Sequence, residues 1–105
     1  MDISKHDWKL FREKIGEWQN RHMDKLCREY VQILTGESDA SVRFWELEKR
    51  IRKDKKNPGV QIEPAKDMVV FHIAELIQNG TITTDDLNDF SDGLRETVAH
   101  ILSLS

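Results

Sequence analysis

The sequence predicts an all-α fold, a single domain of four helices spanning residues 1–105, and three observations carry that prediction. Apolar residues recur at spacings of three and four over long stretches, the period of amphipathic helices rather than strands. Only two Pro and five Gly occur in 105 residues, too few for a loop-rich or all-β chain. Three Trp and four Phe, with many Leu and Ile, supply a core that a disordered composition lacks, although 33% of the residues are charged. A chain of this length buries somewhat over half of its unfolded surface, so one core forms with thin margins.

The first helix is expected from about Ser4 to Leu34. Trp8, Phe11, Ile15 and Trp18 lie on one stripe. Met23, Leu26, Cys27, Tyr30, Val31 and Leu34 continue a stripe that drifts around the axis, as in a helix meeting different partners at its two ends. Ser4 with Asp7 three residues on resembles a capping start. Gly16 weakens the middle by roughly 1 kcal/mol relative to Ala and marks where this long helix could kink. Thr35-Gly36 supplies the stop.

Ser38 or Asp39 caps a second helix that runs to about Lys55, with Ala40, Phe44, Leu47 and Ile51 as its apolar stripe and Trp45 pointing away from it. Asn57-Pro58-Gly59 ends it, because the residue before Pro is pushed out of α geometry. After an extended linker, Pro64 suits the start of a third helix. There Val69, Ile73, Leu76 and Ile77 face inward, with Met68 and His72 at the edge, and Asn79-Gly80 stops the helix. Thr83 and Asp86 form a capping box. Leu87, Phe90, Leu94, Val98 and Ile101 then carry a last stripe to the end of the chain.

The net charge of −3 conceals a strong asymmetry. Residues 1–42 hold seven basic and eight acidic side chains, residues 43–60 seven and three, and residues 61–105 two and eight. The middle of the chain is positive and the C-terminal half negative, a map that says more about partners than the total does. A single cysteine excludes an intrachain disulfide and favours a reducing compartment. The N-terminal residues lack the basic and apolar regions of a secretory signal, and no apolar run reaches the ~18 residues of a membrane span. A cytoplasmic protein without membrane contact is expected.

The basic run Lys49, Arg50, Arg52, Lys53, Lys55 and Lys56 could neutralise phosphates while Trp45 stacks on a base. The plainer account is a solvated helix face whose positive end complements the helix dipole, with Glu46–Arg50 and Glu48–Arg52 paired four apart. "ELIQNGTITTDDLNDF" has the outline of a helix-turn-helix, but its second helix would present Asp85, Asp86, Asp89 and Asp92, which nucleic-acid phosphates repel. Those acids either form a plain soluble surface or imitate phosphates toward a basic protein partner. The segment also lacks the alternating pattern of a calcium loop. His6, His22, His72 and His100 are scattered without metal-ligand spacing, and Cys27, beside apolar positions, reads as an inert core thiol. No metal or cofactor is expected. Nor does any stretch resemble a nucleophile elbow or a phosphate loop, so the chain is expected not to be an enzyme.

"RFWELEKRIRKDKKNPGV", residues 43–60, followed by "NGTITTDDLNDFSDGLRETV", residues 79–98, resembles a group of small proteins carried on mobile elements of Gram-positive bacteria. The likeness covers roughly residues 8–102, and no motif within it has an assigned chemical role. The group is identified as including anti-CRISPR proteins that inhibit Cas9-type nucleases. The resemblance implies a non-enzymatic inhibitor that binds a type II effector and blocks guide loading or target access. Such effectors hold RNA and DNA in positively charged channels; an acidic face could compete for them while the basic segment touches guide RNA. Two alternatives stand beside it: a nucleic-acid-binding accessory or regulatory protein of a mobile element, and a homodimerisation module. The partner-binding candidates are Trp45, Lys49, Arg50, Arg52, Lys53 and Lys56 on one side and Asp85, Asp86, Asp89 and Asp92 on the other.

Overall fold

The computed structural model describes residues 2–104. Among the described residues there are four helices, α1 (Lys5–Leu34), α2 (Ala40–Asp54), α3 (Val69–Gln78) and α4 (Asp92–Ser103), with 3-10 turns at Lys66–Met68 and Thr84–Leu87. No strand occurs among the described residues, so the all-α expectation holds. No helix among them is long and apolar enough to cross a membrane.

α1 runs as one 30-residue helix through Gly16. Its N-terminal half joins α3, α4 and the second 3-10 turn around a core of Phe11, Ile15, Trp18, Val69, Ile73, Leu76, Leu87, Phe90, Leu94 and Val98. Within that core Trp18 sets its ring against Phe11 at 6.3 Å and Phe90 at 6.1 Å. The C-terminal half of α1 pairs instead with α2 in a helical hairpin that extends beyond the core, and the molecule measures 52 × 27 × 21 Å.

Two polar junctions hold these parts in place. Ser4 Oγ caps α1 by accepting the Asp7 N–H. Asp7, 1% exposed, turns its carboxylate to Ser91, accepting the backbone N–H at 2.9 Å and the hydroxyl at 2.5 Å. The same Ser91 Oγ accepts the Leu94 N–H and so caps α4. At the base of the hairpin, Asn57 Oδ1 accepts from Gly59 N–H and Asn79 Nδ2, and Gln19 Nε2 donates to the Pro58 carbonyl. Gly59 is buried there; a Cβ on it would lie 2.7 Å from the His22 ring and 2.4 Å from Thr81 Oγ1.

Four expectations need correction. The last helix does not begin at the Thr83 capping box, which closes only the turn Thr84–Leu87. Ser91 is extended (ψ 155°) and starts α4 afresh at Asp92, so Leu87 and Phe90 enter the core from outside that helix. Pro64 does not open α3, because Ala65 is still extended and a 3-10 turn precedes Val69. The stripe Ala40, Phe44, Leu47, Ile51 is not core: α2 has no buried residue, and Phe44 is 62% exposed. Cys27 is exposed rather than a core thiol, and it lines an open groove between α1 and α2.

Candidate binding surface on the helical hairpin

α2 is a good helix by local rules, with Asp39 as its N-cap and Arg52 and Lys53 in its last turn to complement the dipole. It is tied to α1 mainly by a polar cluster. Arg50 donates to Glu29 Oε1 at 2.8 Å and to Asp54 Oδ2 at 3.1 Å, and its guanidinium lies 5.8 Å from the Tyr30 ring centroid. The Tyr30 hydroxyl donates to the same Asp54 Oδ2. Arg50 hydrogen bonding holds the Glu29 carboxyl below its ordinary range, and Glu29 in turn pushes Arg50 up. Toward the hairpin tip Arg43 donates to the carbonyls of Leu34 and Ser38.

This assigns the basic residues different tasks. Arg50 is held inside the hairpin, and Arg52 forks onto Glu48 through Nε and Nη2. Lys49, Lys53 and Lys56 are exposed and have no ion-pair partner within 4.0 Å among the described residues. Trp45, 62% exposed, lies four residues before Lys49 and eight before Lys53, on the side of α2 away from α1. Lys56 follows in the turn beyond the helix. Trp45 and Phe44 meet edge to face at 5.0 Å, an aromatic pair on the outside of the molecule.

A second surface adjoins it. Phe44, Leu47 and Ile51, with Glu48, Arg52 and Lys55, line one groove. Met23, Leu26, Cys27 and Tyr30 of α1 line another with Ile51, Asp54 and Lys55. Ile51 and Lys55 belong to both, so an apolar strip runs across both helices on one side of the hairpin. Phe44, Leu47 and Ile51 have the helical spacing of a core face, and that spacing does not say what covers it.

The acids are distributed differently from the expected helix face. Asp85 and Asp86 lie in the 3-10 turn, Asp89 in the loop after it, and Asp92 is the first residue of α4. Asp86 accepts the Thr83 N–H and pairs with Arg21 at 3.2 Å, Asp89 pairs with Lys14 at 3.6 Å, and Asp92 with Arg95 at 3.2 Å. Asp85 has no ion-pair partner within 4.0 Å among the described residues. As a phosphate imitation the cluster is largely compensated by neighbouring cations.

Among the described residues, no three His, Cys, Asp or Glu side chains gather as a metal-binding group. Comparison with protein-family profiles, with curated proteins and with solved structures gives no match to this chain.

Proposed function

We propose that this chain is a non-enzymatic binding protein that works through its hairpin, and that its partner is a Cas9-type nuclease, which makes it an anti-CRISPR protein acting in the cytoplasm. One observation carries the binding role: α2 contributes nothing to the core, yet displays Trp45 with Lys49 and Lys53, and Lys56 follows just beyond it. Exposed aromatics beside cations have the composition of an interface hot spot. The resemblance of residues 43–60 and 79–98 supplies the partner. A Cas9 ribonucleoprotein presents both RNA phosphates and a positively charged channel. The lysine stripe suits the first; toward the second, residues 61–105 carry a net negative charge that Lys14 and Arg21 of α1 offset in part. Bound there, the protein would block guide loading or target access.

A cleavage assay with a panel of purified type II effectors tests this reading. Stoichiometric protein should inhibit at least one effector, and Trp45→Ala combined with Lys49→Glu and Lys53→Glu should relieve that inhibition. Inhibition of none, or inhibition indifferent to that triple variant, would reject it.

The Trp45–Lys49–Lys53 stripe also favours a second reading, a nucleic-acid-binding accessory or regulatory protein of a mobile element. In that case the chain alone binds single-stranded RNA or DNA. The logarithm of its affinity would fall with the logarithm of salt at a slope of about −2, for three phosphate contacts made by Lys49, Lys53 and the adjoining Lys56.

A further inference from the structure

We infer that the apolar strip of the hairpin is a self-association surface, on which a second copy of this chain packs antiparallel to complete a four-helix bundle. The inference does not rest on the nuclease reading: it is carried by the apolar strip and by the order of charges along the hairpin, and Trp45, Lys49 and Lys53 lie outside that seam.

The strip has the pattern of half a bundle. Met23, Cys27, Tyr30 and Leu34 follow one another on α1 at spacings of four, three and four, and Phe44, Leu47 and Ile51 on α2 at three and four. These are the spacings of an a/d seam. Met23 is 36% exposed, Leu34 43%, Phe44 62% and Ile51 38%. In a monomer this seam meets water. In a bundle it meets another like it.

Charge along α2 selects both the occupant and its direction. Glu37, Asp39 and Glu46 lie at and after the hairpin tip, against the one cation Arg43, whereas Lys53, Lys55 and Lys56 crowd the other end; Glu48 and Arg52 between them are paired with each other. Parallel packing would set like charges abreast. A two-fold axis near the level of Leu47 and Glu48 sets the acidic tip of one copy beside the basic end of the other, and Glu48, which meets its own copy at the axis, is compensated there by Arg52 of its own chain. In that register Phe44 meets Ile51 of the second copy, and Asp39 meets its Lys56. Asp39 is free for this, since its side chain makes no cap hydrogen bond.

Shape allows the same arrangement. The hairpin extends beyond the core along the 52 Å axis, so antiparallel copies carry their cores at opposite ends without collision. α2 is about 22 Å long at 1.5 Å per residue, and two helices side by side present a face roughly 20 Å wide. That face is roughly half of the ~800 Å² per partner of a standard interface before the relief of its side chains is counted, the size of a weak, concentration-dependent contact. Trp45, Lys49 and Lys53 stay outside the seam, so the dimer displays two copies of the stripe.

Sedimentation equilibrium of the full chain across micromolar concentrations tests the inference. The wild type should show a concentration-dependent dimer. Phe44→Glu and Ile51→Glu should each weaken dimerisation by about a hundredfold or more, by desolvating a charge in the seam. Both side chains are exposed, so far-ultraviolet circular dichroism of the variants should match the wild type. Lys56→Glu should weaken the dimer by about tenfold or more, because the two-fold axis turns two rim charge pairs repulsive at once. Asp39→Lys with Lys56→Glu should restore it. Trp45→Ala should leave it unchanged. A wild type that remains monomeric would overturn the inference. So would a dimer indifferent to Phe44→Glu and Ile51→Glu, and failure of the double charge swap would overturn the antiparallel register.

Discussion

Tyr30 donates its phenolic proton to Asp54 across 2.5 Å, and burial, followed by that carboxylate, pushes its pKa up from 10.0 to about 12. The unfolded chain therefore releases this proton first. Stability from the contact is fully present below pH 10 and is lost as pH rises toward about 12. Tyr30 is the only tyrosine, so absorbance near 295 nm reports it alone among tyrosines. The expected titration of the native protein lies near 12, and a midpoint close to 10 would mean that the Tyr30–Asp54 contact does not form in solution. His22 behaves in the opposite sense. Burial against the hairpin base, then Lys25, lowers its pKa below 6.5, against the weaker pull of Asp54 and Glu29. The unfolded state binds the proton more readily, so stability is full above pH 6.5 and falls as pH drops below it. His22→Gln should flatten that slope in denaturant midpoints measured between neutral and mildly acidic pH. Apolar positions separate as clearly. Ile73 is 0% exposed, and Ile73→Ala should cost roughly 2–5 kcal/mol. Phe44→Ala in dilute protein should stay within about 0.5 kcal/mol, and a larger loss there would place Phe44 in a packed site.

At the scale of elements, the two junctions decide how helices sit, and each rests on one small residue. Ser91→Ala removes the α4 cap and one of the two hydrogen bonds to the buried Asp7 carboxylate. The expected loss is about 1–3 kcal/mol, seen as a lower denaturant midpoint at constant slope. Gly59→Ala drives a Cβ into Thr81 and His22 and should lose a similar amount, about 1–3 kcal/mol. Calorimetry showing either variant as stable as the wild type would show that the junction relaxes freely. These junctions also explain what could be read in advance. Helix identity followed from period, and stops at Asn57-Pro58-Gly59 and Asn79-Gly80 followed from local backbone chemistry. The break before α4 did not, because Leu87, Phe90 and Leu94 keep helical spacing across it. Its cause is the contact of Ser91 with Asp7, 84 residues away in sequence. Of the candidate site, Trp45 and the lysines were legible as an outward face. Arg50 was not separable from them, since its partner Glu29 lies on another helix. Nor was Phe44, whose spacing would serve a core or an uncovered face equally.

Over the whole molecule, hydrophobic burial is divided unequally. α3 and α4 close over α1 with five and two buried residues respectively, whereas α2 has none and is held by hydrogen bonds and ion pairs at the protein surface. Surface pairs of that kind contribute little individually. The helix α1 nevertheless runs continuously through both regions, so the hairpin is one rigid arm whose second helix can loosen without unfolding the first. Local opening free energies should therefore differ along the chain. Native-state hydrogen exchange, run dilute enough to keep the protein monomeric, should show amides of Ile73–Leu76 exchanging only through global unfolding. Amides of Leu47–Asp54 should exchange through a smaller opening, by about 2 kcal/mol or more. Arg50→Ala, which removes the contacts to Glu29 and Asp54, should lower protection in α2 while leaving α3 unchanged. Equal protection of α2 and α3 in the wild type would show one cooperative unit, and an α2 that already carries the stability of the core would have no need of a covering partner.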